Sequence, residues 1–172
     1  LLSYRAAVKS LPERELLCGF VSGRVELEHW NPGELFQFYH DTRPLAGDLE
    51  FLRPMAGQEA AALAVRDGAC ALYHGCAHNL LHGRSREALG ELYKAAGFTL
   101  RAKYFVETKT YLARQSDLLS GLRGEDHDLL MEGIALRSCP NLDDREFDRL
   151  SGKLVEWAGA LLATCVSKKF PV

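Results

Sequence analysis

The chain has 172 residues, enough for one domain with a real core. With 47% hydrophobic and 26% charged residues it has the composition of an ordinary folded protein, which excludes a disordered or low-complexity chain. Lys and Arg number 21 against 23 Asp and Glu, and the net charge of -2 supplies no basic field for nucleic acid or an anionic membrane.

No apolar run approaches the roughly 20 residues of a membrane helix, and no signal-peptide pattern opens the chain. The first residue is Leu1 and not Met, so N-terminal residues, up to a whole domain, are expected to precede it. Leu1 to Ser10 reads as a short amphipathic helix, and Ser10-Leu11-Pro12-Glu13 as the start of another. Gly19 to Glu28 is the one stretch that could be a strand. Asn31-Pro32-Gly33-Glu34 is a strong helix start, with an Asn cap, Pro at the first helical position and Glu near the positive end of the dipole. That helix carries Leu35, Phe36, Phe38 and Tyr39 and ends near Arg43-Pro44. Residues 44–57 hold two Pro and two Gly and read as a connection.

A long helix is expected from about Ala56 to His82, broken at Gly83. Ser85 caps the next, to roughly Thr108. Ser116 and Asp117 start a short helix closed by Gly121 and Gly124, residues 125–138 form another, stopped by Cys139-Pro140, and Asn141 caps a final helix reaching about Ser167. The expected fold is therefore all-α, a helical bundle of about six to eight helices around one long central helix. It reads as a single helical domain over 1–172, with N-terminal helices and a connection over 1–55 and the main bundle over 56–172. The five cysteines (Cys18, Cys70, Cys76, Cys139 and Cys165) show no CxxC spacing, and they read as reduced thiols of a cytoplasmic protein.

The long helix is the most informative stretch. At about 100° per residue, Val65, Ala69, Cys70, Leu72, Cys76, Ala77, Leu80 and Leu81 form an apolar half. The other half gathers Asp67, Gly68, Ala71, His74, Gly75, His78, Asn79 and His82. Gly68 and Gly75 each cost a helix roughly 1 kcal/mol relative to Ala, so they ask for a reason: another helix, or a ligand, comes close to the backbone there. The histidines could be structural, could edge a ligand or partner groove, or could hold a metal. For a metal, His74 and His78 have a suitable spacing, but His82 lies about 12 Å along the axis from His74, and no HExxH pattern is present. No metal site is assigned.

Charge is unevenly placed. Residues 84–114 hold seven Lys or Arg against three Asp or Glu, and residues 124–149 hold eight acids against three Arg. Either these helices are neighbours or solvated faces, or Arg84, Arg86, Lys94, Arg101 and Lys103 edge a site for a phosphate-bearing ligand. A P-loop, a GxGxxG fingerprint and a GxSxG elbow are all missing, and no catalytic residue is assigned. The carboxylate pairs Glu26/Glu28 and Asp48/Glu50 lack the strand and turn of a two-metal site. Arg24 to His29 fits the loose Arg-x4-6-His pattern of helical RNA-cleaving domains, a match short enough to arise by chance. Trp30, Phe36, Phe38, Tyr39, Phe98, Tyr104 and Phe105 stand at helical spacing and read as core.

The block from Leu72 to Leu122 carries a resemblance. Its residues are Leu72-Tyr73-His74, His78-Asn79-Leu80-Leu81-His82-Gly83, Leu92-Tyr93-Lys94-Ala95-Ala96 and Leu100 to Tyr111, followed by Ser116-Asp117-Leu118-Leu119. It resembles the helical C-terminal domain that follows the catalytic domain in many bacterial nucleotidyltransferases of the DNA-polymerase-β-like superfamily, a bundle related to HEPN domains. In such proteins a helix ends in an aromatic-rich stretch, a turn and a Tyr before a short helix begins. Here Thr108-Lys109-Thr110 stands where a Gly is expected in the turn. The Gly-Ser and Asp-x-Asp signature that binds metal and nucleotide in that superfamily is absent, so a catalytic domain would lie upstream of Leu1 or be lost.

The resemblance implies an accessory or substrate-binding domain of a nucleotidyltransferase, without a catalytic signature of its own. The alternative is a helical interaction or dimerisation module that packs the Gly68/Ala71/Gly75 face against a partner. Candidate ligand-binding residues are Asp67, His74, His78, His82, Arg101 and Lys103. The candidate partners are a nucleotide or other small polar ligand and a second copy of the chain; no cofactor is identified.

Overall fold

The computed structural model describes residues 2–14, 21–138 and 142–167, with the backbone alone at 166 and 167. By contact the chain divides into two units, Leu1–Trp30 and Asn31–Val172. Cys18, Cys139, Pro140 and Asn141 lie outside the described residues.

In the first unit, α1 spans Leu2–Val8 and α2 spans Arg24–Glu28. The helix start expected at Ser10 is not formed among the described residues there. The backbone turns and bends over residues 9–13, with Glu13 in the left-handed region at φ 55°. Gly19–Glu28, the one stretch open to a strand by its sequence, is helical at Arg24–Glu28; Gly19 and Phe20 lie outside the described residues. Alternation over so short a run fits either state, and local bonds decide it. The Leu27 amide donates to Gly23 O at 3.1 Å, and Arg24 Nε pairs with Glu28 Oε1 at 2.7 Å. No strand occurs among the described residues.

The second unit is a bundle in which the long helix α4 packs against α3, α5 and α8, while α5 also packs against α7. α3 spans Pro32–Asp41 and begins as expected: the Asn31 side chain accepts from the Glu34 amide at 3.0 Å, with Pro32 in the first turn. The connection after it contains a 3-10 turn, Glu50–Met55, that buries Leu52 completely. α4 spans Gln58–His78, α5 Arg86–Thr108, α6 Gln115–Gly121, α7 Gly124–Ser138 and α8 Asp144–Ser167. Ser85 caps α5 through the Ala88 amide at 3.1 Å. At α8, Asp143 accepts from the Glu146 amide at 2.7 Å and supplies the cap.

α4 and α5 form an antiparallel hairpin. Gln58 Nε2 donates to Val106 O at 3.1 Å, Gly68 faces Thr99, and Gly75 faces Leu92. The two glycines thus have their reason within the chain. A Cβ at Gly68 would stand 2.4 Å from Thr99 Oγ1, and one at Gly75 would stand 3.0 Å from Leu92 Cδ2. Both glycines of the small-residue face are met by α5, while Ala71 between them stays exposed.

The apolar half of α4 is narrower than the helical wheel predicts. Val65, Ala69, Leu72 and Cys76 are buried, but Cys70 is exposed and Leu81 is 71% exposed. Regular winding stops at His78, and Asn79–Gly83 forms a π-turn. The wider turn rotates the residues after it out of the 3.6-residue register. Asn79, placed on the polar half by the wheel, is instead buried. Its amide donates to Ser85 O and accepts from Ser85 N, both at 2.9 Å. Gly83 is required by that side chain, since a Cβ there would stand 2.7 Å from Asn79 Oδ1. The left-handed residue that closes the turn is Arg84.

The basic and acidic segments are neighbours. Arg84 pairs with Asp148, Arg86 Nη2 with Asp144 Oδ1 at 2.7 Å, and Lys103 with Asp126. Buried and half-buried hydrogen bonds complete the packing. Tyr93 Oη donates to Leu150 O at 3.0 Å, Cys76 Sγ to Ser151 O at 3.3 Å, and Trp157 Nε1 to Asp126 Oδ1 at 2.9 Å. No helix among the described residues is long and apolar enough to cross a membrane.

Two stability outcomes are expected. Gly68→Ala should destabilise the chain by about 1–3 kcal/mol, because the clash with Thr99 outweighs the roughly 1 kcal/mol gained in helix propensity. In a Thr99→Ala background the same substitution should be neutral or stabilising; urea unfolding of the four variants measures this, and a penalty of the same size in both backgrounds would refute the contact. Lys109 ends α5 in the left-handed region at φ 60°, where the resemblance leads one to expect Gly. Lys109→Gly should therefore raise stability by about 0.5–1 kcal/mol, and a lower melting temperature would count against it.

Candidate functional site

A groove of about 330 Å³ opens where the first turns of α3 cross the middle of the α4–α5 hairpin. Local sequence builds each wall. Asn31 and Pro32 start α3, and Gly33 lets its first turn meet α4, since a Cβ at Gly33 would stand 2.9 Å from Ala64 N. The Gly68–Thr99 contact sets the floor, and Ala71 and Ala95 leave space above it. Leu72, Leu92 and Phe98 supply apolar surface, while Asn31, Glu34, Gln37 and Asp67 supply polar groups. Asp67 Oδ2 faces Asn31 Nδ2 at 3.5 Å and Oδ1 faces Arg66 Nε at 3.3 Å, both outer-range distances.

The structure separates the residues singled out by sequence. Asp67 lies in the groove. His74, His78 and His82 lie along the exposed end of α4 and its π-turn, with ring centres 6.5 Å and 5.3 Å apart in succession. Among the described residues no group of three or more His, Cys, Asp or Glu could hold a metal ion. Lys103 points to the α7–α8 side, where it contacts Asp126 and pairs with Glu107 Oε1 at 3.0 Å. Burial works against its charge, but the bonds to Asp126 and Glu107 prevail and hold its pKa above the ordinary lysine value. Arg101 is not among the residues that line the groove; its guanidinium carbon lies 5.2 Å from the Phe98 ring centre, with Nε buried and without a hydrogen-bond partner.

In the first unit, the Arg24/His29 pair of the loose RNA-cleaving pattern has local partners: Arg24 holds Glu28, and His29 Nδ1 donates to Val25 O at 2.8 Å. Sequence reasoning missed Glu34, Gln37 and Leu92 as groove residues and read Asn31 only as a cap. It placed Phe98 in the core, whereas that ring is 36% exposed on the groove wall. Gly33 was the available signal, a helix-interior glycine in the first turn that marks a close helix crossing.

Beside the groove is an aromatic box. His40 stacks on Tyr111 with ring centres 4.5 Å apart and also meets Phe36 and Phe105. Its Nε2 donates to Ala56 O at 3.3 Å, and Tyr111 Oη donates to Asp41 Oδ1 at 2.7 Å. Burial lowers the His40 pKa below 6.5, partly opposed by the Ala56 bond and the Asp41 charge. The Cys76 thiol is pushed up to about 11 by burial, so Cys76 is an inert core thiol.

Comparison with family models, with curated proteins and with solved structures returns no match to this chain.

Because His40 is held neutral in the fold, the unfolded chain binds the proton more readily. The contribution of His40 to stability is therefore complete above its unfolded value near 6.5 and declines as pH falls through the lower folded value. His40→Phe should flatten the fall in unfolding free energy between pH 7.5 and pH 5.5. An unchanged slope in urea titrations at the two pH values would refute this.

Proposed function

We propose that this chain is a ligand-binding helical domain of the accessory or substrate-binding kind that the nucleotidyltransferase resemblance implies, and that the groove between α3, α4 and α5 is its site. The observation that carries the reading is the groove itself, about 330 Å³, apolar inside and bordered by Asn31, Glu34, Gln37 and Asp67. Small-molecule sites are concave and mostly apolar, with a few placed polar groups, and range upward from about 300 Å³. The walls are helices pinned by Gly33 against Ala64 and Gly68 against Thr99, so the shape is preformed. The dimer alternative rests on the Gly68/Ala71/Gly75 face; α5 side chains meet the two glycines, while Ala71 stays exposed.

A fragment screen by amide chemical-shift mapping tests the reading. Binding fragments should perturb Ala71, Thr99 and the side-chain amides of Asn31 and Gln37. Ala71→Trp, at an exposed position on the groove, should abolish those perturbations with little change in melting temperature. Fragments that gather elsewhere, or that bind Ala71→Trp equally well, would overturn it.

A further inference from the structure

The chain has six histidines, and three of them are committed within the fold. His29 bonds to Val25 O, His40 to Ala56 O, and His127 lies against Asp128. His74, His78 and His82 are different. All three are exposed, and among the described residues they make no hydrogen bond or ion pair, only ring contacts with one another. Their ring nitrogens are thus left for solvent or a solute.

The π-turn makes the two pairs unequal. His74 and His78 are one regular turn apart and their ring centres are 6.5 Å apart, whereas His78 and His82 span the wider π-turn and stand at 5.3 Å. A metal ion lies about 2.0–2.1 Å from the imidazole nitrogen that binds it, which puts each ring centre about 3.2 Å from the ion. Two rings at the tetrahedral angle are then about 5.2 Å apart, and two on opposite sides of the ion only about 6.4 Å. The His78–His82 pair has the tetrahedral separation, and the His74–His78 pair exceeds both. The cations nearest in the sequence are turned away. Arg84 pairs with Asp148 and lies over the Phe147 ring, and Arg86 pairs with Asp144.

We infer that His78 and His82 form an open, exchangeable site for a divalent transition-metal ion that accepts tetrahedral coordination, such as zinc. The site is distinct from the groove, and it is the π-turn, not the regular winding of α4, that sets its spacing. Imidazole suits zinc, copper and nickel, whereas magnesium takes oxygen donors. With two protein ligands in place of the four of a structural zinc site, binding is weak and reversible. Two positions stay open for water or for a donor on a ligand.

Titration calorimetry of the tag-free chain with ZnCl2 tests the inference. It should show one site with a dissociation constant of roughly 1–100 µM, and MgCl2 should give no binding heat. His78→Gln and His82→Gln should each weaken zinc roughly ten-fold or more. These positions are exposed, so the melting temperature without metal should not move. His74→Gln should bind zinc like the wild type, and so should Cys70→Ser, which removes the exposed thiol one turn before His74. In nitrogen–proton spectra of the wild type, zinc should shift the ring signals of His78 and His82 and leave those of His74 in place. Absence of zinc binding in that range, loss in His74→Gln as large as in His82→Gln, or loss in Cys70→Ser overturns the inference.

Discussion

The close approach of α4 and α5 at Gly68 and Thr99 is the constraint on which the second unit depends. Two helices can pack this tightly only where one lacks a side chain, and the absence of a Cβ at Gly68 leaves the space that the Thr99 hydroxyl fills. The hairpin is also tied at both ends, by Gln58 on Val106 and by Asn79 on the Ser85 backbone. Because Asn79 satisfies both backbone groups of Ser85, the sharp π-turn and the left-handed Arg84 are held without burying an unpaired polar group. α3 then uses the same device, Gly33 against Ala64, to reach α4. The groove is the space left where three helices meet through small residues and cannot fill the centre.

Charge serves the packing of the other side. The lysine and arginine excess of residues 84–114 meets the acidic excess of residues 124–149, so Arg84, Arg86 and Lys103 join the hairpin to the C-terminal helices. The most buried of these contacts is the Lys103–Asp126 pair, whose carboxylate also accepts from Trp157 Nε1. Removing one member of such a pair strands the other, which makes it a feature of the core more than of a site. The consequence for function is a separation: Arg84, Arg86 and Lys103 meet carboxylates on the α7–α8 side, while Asp67 and Glu34 border the groove on the α3 side.

Most of the helix boundaries were legible because they are set locally. Asn31-Pro32 and Ser85 act through hydrogen bonds within three residues, and the sequence shows them directly. The expectation failed where two local states lie close in energy, as at Arg24–Glu28, and where winding departs from 3.6 residues per turn, as at Asn79–Gly83. Asp67 was legible as a groove residue because it shares a face with two glycines. Phe98 and Gln37 were not, because nothing local distinguishes a ring on a groove wall from one in the core.

The sequence by itself determined an all-helical chain, the ends of its main helices, and the presence of glycines that needed a close neighbour. Only the tertiary structure decided that the neighbour is α5, that Arg84, Arg86 and Lys103 of the basic segment pair with the acidic one, and that Asp67 lies apart from the histidines and from Lys103. The physical reason is range. Capping and helical periodicity act over a few residues, whereas Gly68 and Thr99 are brought together across a turn that depends on one buried asparagine.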